Sequence, residues 1–202
     1  MSRFLYLVRH GEQLDAEHGL PDGSLSPRGV RQAEAIADRL SGVPFDAAWT
    51  SPLQRATETA AIITGRMPAL EFQEDMLLMD CIPSGPDPDP EAAAAFDGFF
   101  GGITTEQIEA GQAQMADAVD TWMTPSLGDR HELLVTHNFV IAWFVREAFG
   151  ADPWRWLGVN QANCGLTIIR VRSGKPPTLV THNDLGHLLP ELRTGLSVPQ
   201  PY

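Results

Sequence analysis

The feature that most constrains the fold is a set of three short, mainly apolar segments, each of which precedes a helix-forming pattern. Residues 4–8 read FLYLV, residues 45–51 read FDAAWTS and residues 131–137 read HELLVTH. Short, continuous apolar runs are typical of strands that are buried on both faces of a parallel sheet. Because these strands alternate with helices, the pattern predicts an α/β fold around a mostly parallel sheet.

The helices that follow these strands carry recognisable start signals. In the first, Ser26 is a candidate N-cap, Pro27 takes the first helical position, and apolar residues recur at helical spacing up to residue 40. The helix near residues 52–64 repeats this signature, with Ser51 as its candidate cap. Further helices are predicted over residues 104–123 and 138–150, and two neighbouring strands over residues 164–172 and 177–184.

Charge and hydropathy exclude several classes of partner. The 202 residues carry 14 Lys and Arg against 26 Asp and Glu, a formal net charge of −12. Because this field repels phosphate polymers and anionic lipids, we expect neither nucleic acid nor a membrane as a partner. There is no apolar run of membrane-spanning length and no signal-peptide pattern at the first residues, so we expect one cytoplasmic domain over residues 1–202.

A segment rich in proline, glycine and aspartate lies in the middle of the chain, over about residues 80–102. Such a composition is typical of a loop, with a short helix expected within residues 90–96, which read PEAAAAF. Because the segment lies too far inside one domain to be a linker, we predict that it forms a lid or a wall of a functional site.

Cationic and imidazole side chains gather where the predicted strands end. Arg9, His10 and Gly11 follow the first strand, Arg55 lies one turn beyond the second, and His137 ends the third. Ligands of open α/β sheets bind beyond the carboxyl ends of the strands. Arginine binds phosphate oxygens through its planar guanidinium, and a glycine allows the backbone to approach an anion closely. The sequence therefore predicts a phosphate pocket at this edge of the sheet.

Histidine in such a pocket suggests covalent phosphoryl transfer. A neutral imidazole can attack phosphorus, and nearby guanidinium groups lower its pKa and so keep it unprotonated. Phosphoryl transfer otherwise needs positioning and charge stabilisation, which Arg9, Arg55 and His137 can supply. The leaving alcohol also needs a proton, so a carboxylic acid is expected to face the phosphate.

Three motifs in this order resemble the histidine phosphatase superfamily, of phosphoglycerate mutase-like fold. They are LVRHGE at the first strand end, TSPLQRATETA at the second and LVTHN at the third. The resemblance implies a three-layer α/β/α sandwich in which His10 becomes phosphorylated. It implies that Arg9, Gly11, Arg55 and His137 form the phosphate pocket. It also implies that neither a metal nor another cofactor is needed.

The acid is expected from the segment LMDCIPSGPDPDP. This segment resembles a subgroup of the superfamily that has a Pro-Asp-Pro loop and includes protein phosphatases. Asp80 takes the position at which that subgroup usually has glutamate, and Glu74 and Asp75 are the alternatives.

These observations lead to one main hypothesis and two alternatives. The main hypothesis is a histidine acid-type phosphomonoesterase whose substrate is a small phosphorylated metabolite or a phosphoprotein. A phosphoglycerate mutase is the first alternative, which the short middle segment and the missing Glu-Gly pair oppose. A non-catalytic module that binds phospholigands or proteins is the second, which the presence of both histidines and both arginines opposes. The sequence also allows a homo-oligomer.

Overall fold

One six-stranded sheet organises the protein, whose computed structural model describes residues 1–14 and 22–196. The strand order across the sheet is β3-β2-β4-β1-β5-β6. The strands are β1 (Ser2–Arg9), β2 (Ala47–Thr50), β3 (Phe72–Glu74), β4 (Arg130–Thr136), β5 (Leu166–Arg172) and β6 (Lys175–Asp184).

The direction of the strands brings the predicted site residues to one edge. The pairs β1–β4, β4–β2 and β2–β3 are parallel, whereas β5 and β6 are added antiparallel beside β1. The backbone ladder continues just past the strands, since the amide of His10 donates to the carbonyl of Thr136 at 2.9 Å and that of Ser51 to Val135 at 2.9 Å. The carboxyl ends of β1, β2 and β4 therefore meet at one edge.

Helices connect the parallel strands and cover the sheet. The α-helices are α1 (Pro27–Leu40), α2 (Gln54–Arg66), α3 (Pro90–Ala93), α4 (Asp97–Phe100), α5 (Thr105–Trp122) and α6 (Asn138–Ala148). Short 3-10 helices span Met76–Leu78, Ala94–Phe96, Pro153–Gly158 and Pro190–Leu192. Within the described residues, no helix is both long enough and apolar enough to cross a bilayer.

Alternating side chains of the central strands separate two cores. Leu133 and Val135 of β4 pack with α1 and α2, whereas Leu134 packs on the other face with α5 and α6. Val8 and Leu7 of β1 divide in the same way. Both faces are thus buried, as the continuous apolar runs predicted, and the α/β class with a mostly parallel sheet is confirmed.

The starts of the first two helices differ from each other. Ser26 caps α1 as predicted, because its hydroxyl accepts from the amide of Gly29 at 3.0 Å. The cap predicted for α2 is wrong: that helix begins at Gln54, its N-cap is Leu53, and no side chain caps it. Ser51 lies three residues ahead of the helix, where its hydroxyl contacts His137 instead.

The segment over residues 80–102 contains short helices rather than one irregular loop. It holds α3, a 3-10 turn and α4, and Phe99 of α4 packs edge-on against Phe139 and Trp156 with ring centroids 5.6 and 6.0 Å away. This aromatic contact attaches the segment to the start of α6, beside the strand ends. One domain over 1–202 with a lid at this segment stays a prediction.

Candidate active site

His10 is held in one neutral tautomer. Its Nδ1 lies 2.7 Å from the carbonyl oxygen of Gly11, and its Nε2 lies 3.1 Å from Nε of Arg55. A carbonyl can only accept and a guanidinium can only donate, so these partners assign the proton to Nδ1 and the lone pair to Nε2. The ring therefore presents an unprotonated nitrogen to the pocket.

The surroundings of His10 oppose its protonation. Burial lowers the pKa of His10 well below its usual value, and the charges of Arg9 and Arg55 lower it further, against the hydrogen bond to Gly11. The side chain is buried, and the backbone is fixed by an amide of Asn163 that donates to the carbonyl of His10 at 3.0 Å. A neutral imidazole is the state that a nitrogen nucleophile needs.

Arg55 connects the members of the site. Beyond its contact with His10, it donates to Nδ1 of His137 at 3.2 Å and lies 3.4 Å from an oxygen of Asp80. It also forms an ion pair with Asp22 at 3.2 Å. Helix α2 begins at Gln54, so the guanidinium projects from the first turn of that helix toward the ends of β1 and β4.

His137 faces His10 across the pocket and is held by a serine. The two ring centroids are 5.1 Å apart, and Nε2 of His137 lies 2.8 Å from the hydroxyl of Ser51. Burial lowers the pKa of His137 well below its usual value, and His10, Arg55 and Arg9 add to the shift. A hydroxyl can donate as well as accept, so Ser51 can support either tautomer of this ring.

Arg9 keeps one unsatisfied donor inside the site. One of its terminal nitrogens donates to the carbonyls of Gln161 at 2.7 Å and Gly195 at 2.8 Å, which fixes the plane of the guanidinium. Its Nε is buried and has no hydrogen-bond partner in the described part of the chain. Burial lowers the pKa of Arg9 to about 10, so the group is cationic at neutral pH. An orphaned donor on a buried cation is what an anion-binding pocket requires.

Asp80 is the predicted acid that the structure brings to this pocket, where Asp22 also pairs with Arg55. Its Oδ2 lies 3.4 Å from Arg55 and 4.0 Å from Nδ1 of His137, and 41% of its side chain is exposed. Burial raises the pKa of Asp80, while Arg55, Arg9 and the amide of Cys81 pull it down. A carboxyl with a raised pKa at the open side of the pocket can carry a proton to a leaving group.

The two alternative acids are used elsewhere. Asp75 caps the 3-10 helix Met76–Leu78 by accepting from the amide of Leu77 at 2.9 Å. Glu74 ends the edge strand β3 and is exposed. Of the three candidate acids, Asp80 contacts the arginine of the pocket.

Gly11 has a packing role in this structure. Its amide donates to the hydroxyl of Thr59 at 3.0 Å, and a Cβ at this position would lie 2.7 Å from the carbonyl oxygen of Gly29. The close approach of β1 to the start of α1 therefore requires a residue without a side chain. Its predicted contribution to phosphate binding stays a prediction.

Several residues that hold the site were not found from the sequence. They are Asp22, Ser51, Thr59, Asn163, and Gln161 and Gly195, whose carbonyls accept from Arg9. Of these, Ser51 and Thr59 lie in the quoted motif TSPLQRATETA, which could have marked them. Within the described part of the chain, no three His, Cys, Asp or Glu side chains are grouped so as to hold a metal ion.

Comparison with known proteins points to the same family as the motifs. A model of the histidine phosphatase superfamily (branch 1) matches residues 5–185. The serine/threonine-protein phosphatase Pgam5 of Caenorhabditis briggsae is 31% identical over 195 residues, which cover 94% of this chain and 65% of that protein. Human PGAM5 is 29% identical over 198 residues, with the same coverage of both chains. The chain thus spans about 65% of the length of these relatives.

Solved structures share the fold. Bacillus stearothermophilus YhfR superposes with a TM-score of 0.74 and 23% identity, covering 92% of this chain and 98% of that one. The phosphoserine phosphatase of Entamoeba histolytica superposes with a TM-score of 0.67 and 23% identity, covering 93% of this chain and 100% of that one. The expected phosphoglycerate mutase-like fold, and the resemblance to a subgroup that includes protein phosphatases, are therefore confirmed.

The comparisons contradict the expected cytoplasmic location. The curated relatives are named as mitochondrial proteins. The expectation rested on the lack of a signal-peptide pattern and of long apolar runs. Those features report on secretion and on crossing a membrane as a helix, but they do not determine the compartment in which the chain works.

Proposed function

Because the chain belongs to the histidine phosphatase superfamily, we propose that it hydrolyses phosphomonoesters through a phosphohistidine on His10. The observation that carries this proposal is the neutral His10, whose unprotonated Nε2 lies 3.1 Å from Nε of the buried Arg55 and whose pKa is lowered further by the charge of Arg9. A neutral imidazole nucleophile next to guanidinium groups is the combination that phosphoryl transfer to histidine requires.

The first step transfers the phosphoryl group to His10. Nε2 gives up its hydrogen bond to Arg55 and attacks phosphorus, the bond from phosphorus to the ester oxygen breaks, and Asp80 gives that oxygen its proton. Arg9 and Arg55 bind the phosphoryl oxygens as negative charge shifts onto them. As Arg55 turns from Nδ1 of His137 to the phosphoryl oxygens, His137 takes its other tautomer, with the proton on Nδ1 instead of Nε2. It then donates from Nδ1 to the phosphoryl group and accepts from Ser51 at Nε2.

The second step releases phosphate. Asp80, now ionised, takes a proton from water, and the water oxygen attacks the phosphorus of phosphohistidine. The bond from phosphorus to nitrogen breaks, inorganic phosphate leaves, and His10 returns to its neutral form. Asp80 ends protonated, so the cycle balances without an external acid or base.

We propose that the reaction is metal-independent. The charge that a divalent ion supplies in other phosphatases is supplied here by the guanidinium groups of Arg9 and Arg55.

We propose a phosphorylated protein as the substrate. The relatives with which the chain shares about 30% of its residues are named serine/threonine-protein phosphatases, which supports this choice over a small metabolite. The partly exposed Asp80 also leaves the leaving-group side open to a large substrate.

The decisive experiment measures hydrolysis of p-nitrophenyl phosphate with excess chelator, by the wild type and by His10→Ala. We expect turnover by the wild type in chelator, and a loss on the order of a thousandfold or more in the variant, because the nucleophile is gone. His131→Gln is the matched control, because His131 lies at the opposite end of β4. Lack of both turnover and an acid-labile phosphoenzyme in the wild type, or an active His10→Ala, would contradict the proposal.

A further inference from the structure

The wall that faces the arginines is built from a stretch of chain without a single cationic side chain. Residues 67–129 contain no Lys, Arg or His, yet they hold thirteen of the 26 acidic residues of the protein. This stretch supplies β3, the segment over residues 80–102 and α5. Residues 15–21 and 197–202, outside the structural description, contain no Lys or Arg either. All 14 cationic residues are therefore accounted for, and none belongs to this wall.

A cleft of about 380 Å³ opens in this wall beside Asp80. The segment after Asp80 forms one side of it and α5 forms the other. Its lining includes four residues without charge, which are Gln107, Ala110, Gln114 and Phe139. If Asp80 gives its proton to the ester oxygen, the rest of the leaving group lies in this cleft.

The two arginines of the pocket have no hydrogen-bond donor left for a second anion. Arg55 divides its donors among His10, Asp22, Asp80 and His137, and Arg9 binds the carbonyls of Gln161 and Gly195. The donors that remain on Arg9 are needed by the phosphoryl group. A carboxylate on the leaving group would thus lie near Asp80 without a cationic partner, which is costly for a desolvated charge.

We propose that this cleft selects leaving groups that are uncharged or cationic and rejects those that carry a carboxylate. The inference rests on the proposed function, since it assigns the leaving group of that reaction to the cleft. The chemical class that fits is a phosphorylated side chain within a peptide, whose neighbouring amides are neutral and whose flanking residues are neutral or basic. Phosphate esters of hydroxy acids are poor substrates on this account.

The test uses two esters that differ in one charge. N-acetyl-O-phosphoserine amide is neutral beside its phosphate, whereas N-acetyl-O-phosphoserine adds one carboxylate. We expect kcat/KM of the wild type to be about tenfold lower for the acid than for the amide at low salt, because the added carboxylate loses hydration in the cleft without gaining a cationic partner. His10→Ala should bind the same two esters in the same order by calorimetry, which gives a readout that needs no turnover.

Variants of α5 locate the effect. Ala110 is exposed and lines the cleft, so Ala110→Lys should reduce the discrimination between the acid and the amide to near equality. Ala110→Gln should leave the ratio as in the wild type, since it adds bulk without charge. Ala116→Lys adds the same charge at an exposed position of α5 that does not line the cleft, and its ratio should also match the wild type.

The outcomes separate this inference from the function on which it rests. Equal treatment of the two esters by wild type and by His10→Ala, or equal effects of Ala110→Lys and Ala116→Lys, would overturn the cleft assignment. If p-nitrophenyl phosphate is not hydrolysed, the proposed function fails, and the binding order measured on His10→Ala still decides the charge preference of the cleft.

Discussion

The protonation state of His10 has a different main cause from the one that its neighbours in the sequence suggest. The adjacent Arg9 and the nearby Arg55 do lower the pKa of the imidazole, but burial is the larger cause. A side chain that leaves the end of a central strand is surrounded by protein, and the charged form loses its hydration there. The arginines therefore reinforce a preference that the position of the residue already creates.

Asp80 offers the sharpest test of a single residue. Asp80→Asn should reduce kcat on an alkyl phosphate by about a hundredfold, because an alkoxide leaves poorly without a proton donor. The same variant should lose little on an aryl phosphate, whose leaving group needs no proton. Asp80→Glu, which keeps the acid, should retain alkyl activity.

The pH dependence follows from the same carboxyl. Asp80 must be protonated to act as the acid, and loss of hydration in the pocket raises its pKa, so alkyl activity should persist to higher pH than an ordinary aspartate would allow and then fall as pH rises further. His10 stays neutral at acidic pH because its pKa is lowered, so the acidic side of the profile should not fall near pH 6.5 on its account. Equal losses of Asp80→Asn on both ester types would remove Asp80 as the acid.

The position of the acid depends on how one helix packs. Gln114 of α5 donates to the carbonyls of Leu77 at 3.1 Å and Met79 at 2.7 Å, directly before Asp80. On the same helix Gly111 lies against the backbone of Ile82, directly after it, and a Cβ there would overlap the Ile82 carbonyl. Helix α5 thus holds both flanks of the acid from a distance of some thirty residues in sequence.

Two helical glycines provide a matched pair. Gly111→Ala should lower the free energy of unfolding by about 1–3 kcal/mol through overpacking, and it should reduce alkyl phosphatase activity by displacing Asp80. Gly65→Ala in α2 meets no atom within 4 Å and should instead raise stability by about 0.5–1 kcal/mol. Urea unfolding checks both signs, and a stable, fully active Gly111→Ala would show that this contact does not hold the acid.

The molecule as a whole buries several histidines in their neutral form. Burial lowers the pKa values of His10, His137, His182 and His187. The unfolded chain regains ordinary histidines, so below about pH 6.5 it binds more protons than the folded one. Stability from this source is present above that pH and is lost as pH falls.

The loss of stability should be measurable when the free energy of unfolding is followed as pH is lowered. We expect the free energy of unfolding to fall between pH 7 and pH 5, with a slope of up to about 1.4 kcal/mol per pH unit for each histidine. His187→Gln should show a smaller slope, because it keeps a donor for the carbonyl of Cys164 and loses the titrating ring. Urea unfolding at several pH values measures both, and a stability that is flat over this range would contradict the expectation.

Local pattern predicted the parallel strands, the longer helices and the place of four candidate site residues in the sheet. Apolar runs that are buried on both faces specify strands, and parallel strands place Arg9, His10, Arg55 and His137 at one edge wherever their loops run. The contact of Asp80 with Arg55, which neither Glu74 nor Asp75 makes, and the contact of Ser51 with His137 required the folded chain. Those contacts join residues 25 to 86 positions apart, and sequence spacing carries no record of which distant partners packing brings within 3–4 Å. The cleft beside Asp80 combines a sequence property with a structural one. The sequence shows that residues 67–129 contain no cationic side chain. The position of the cleft next to the acid depends on the tertiary structure, because α5 must fold back against the segment after Asp80.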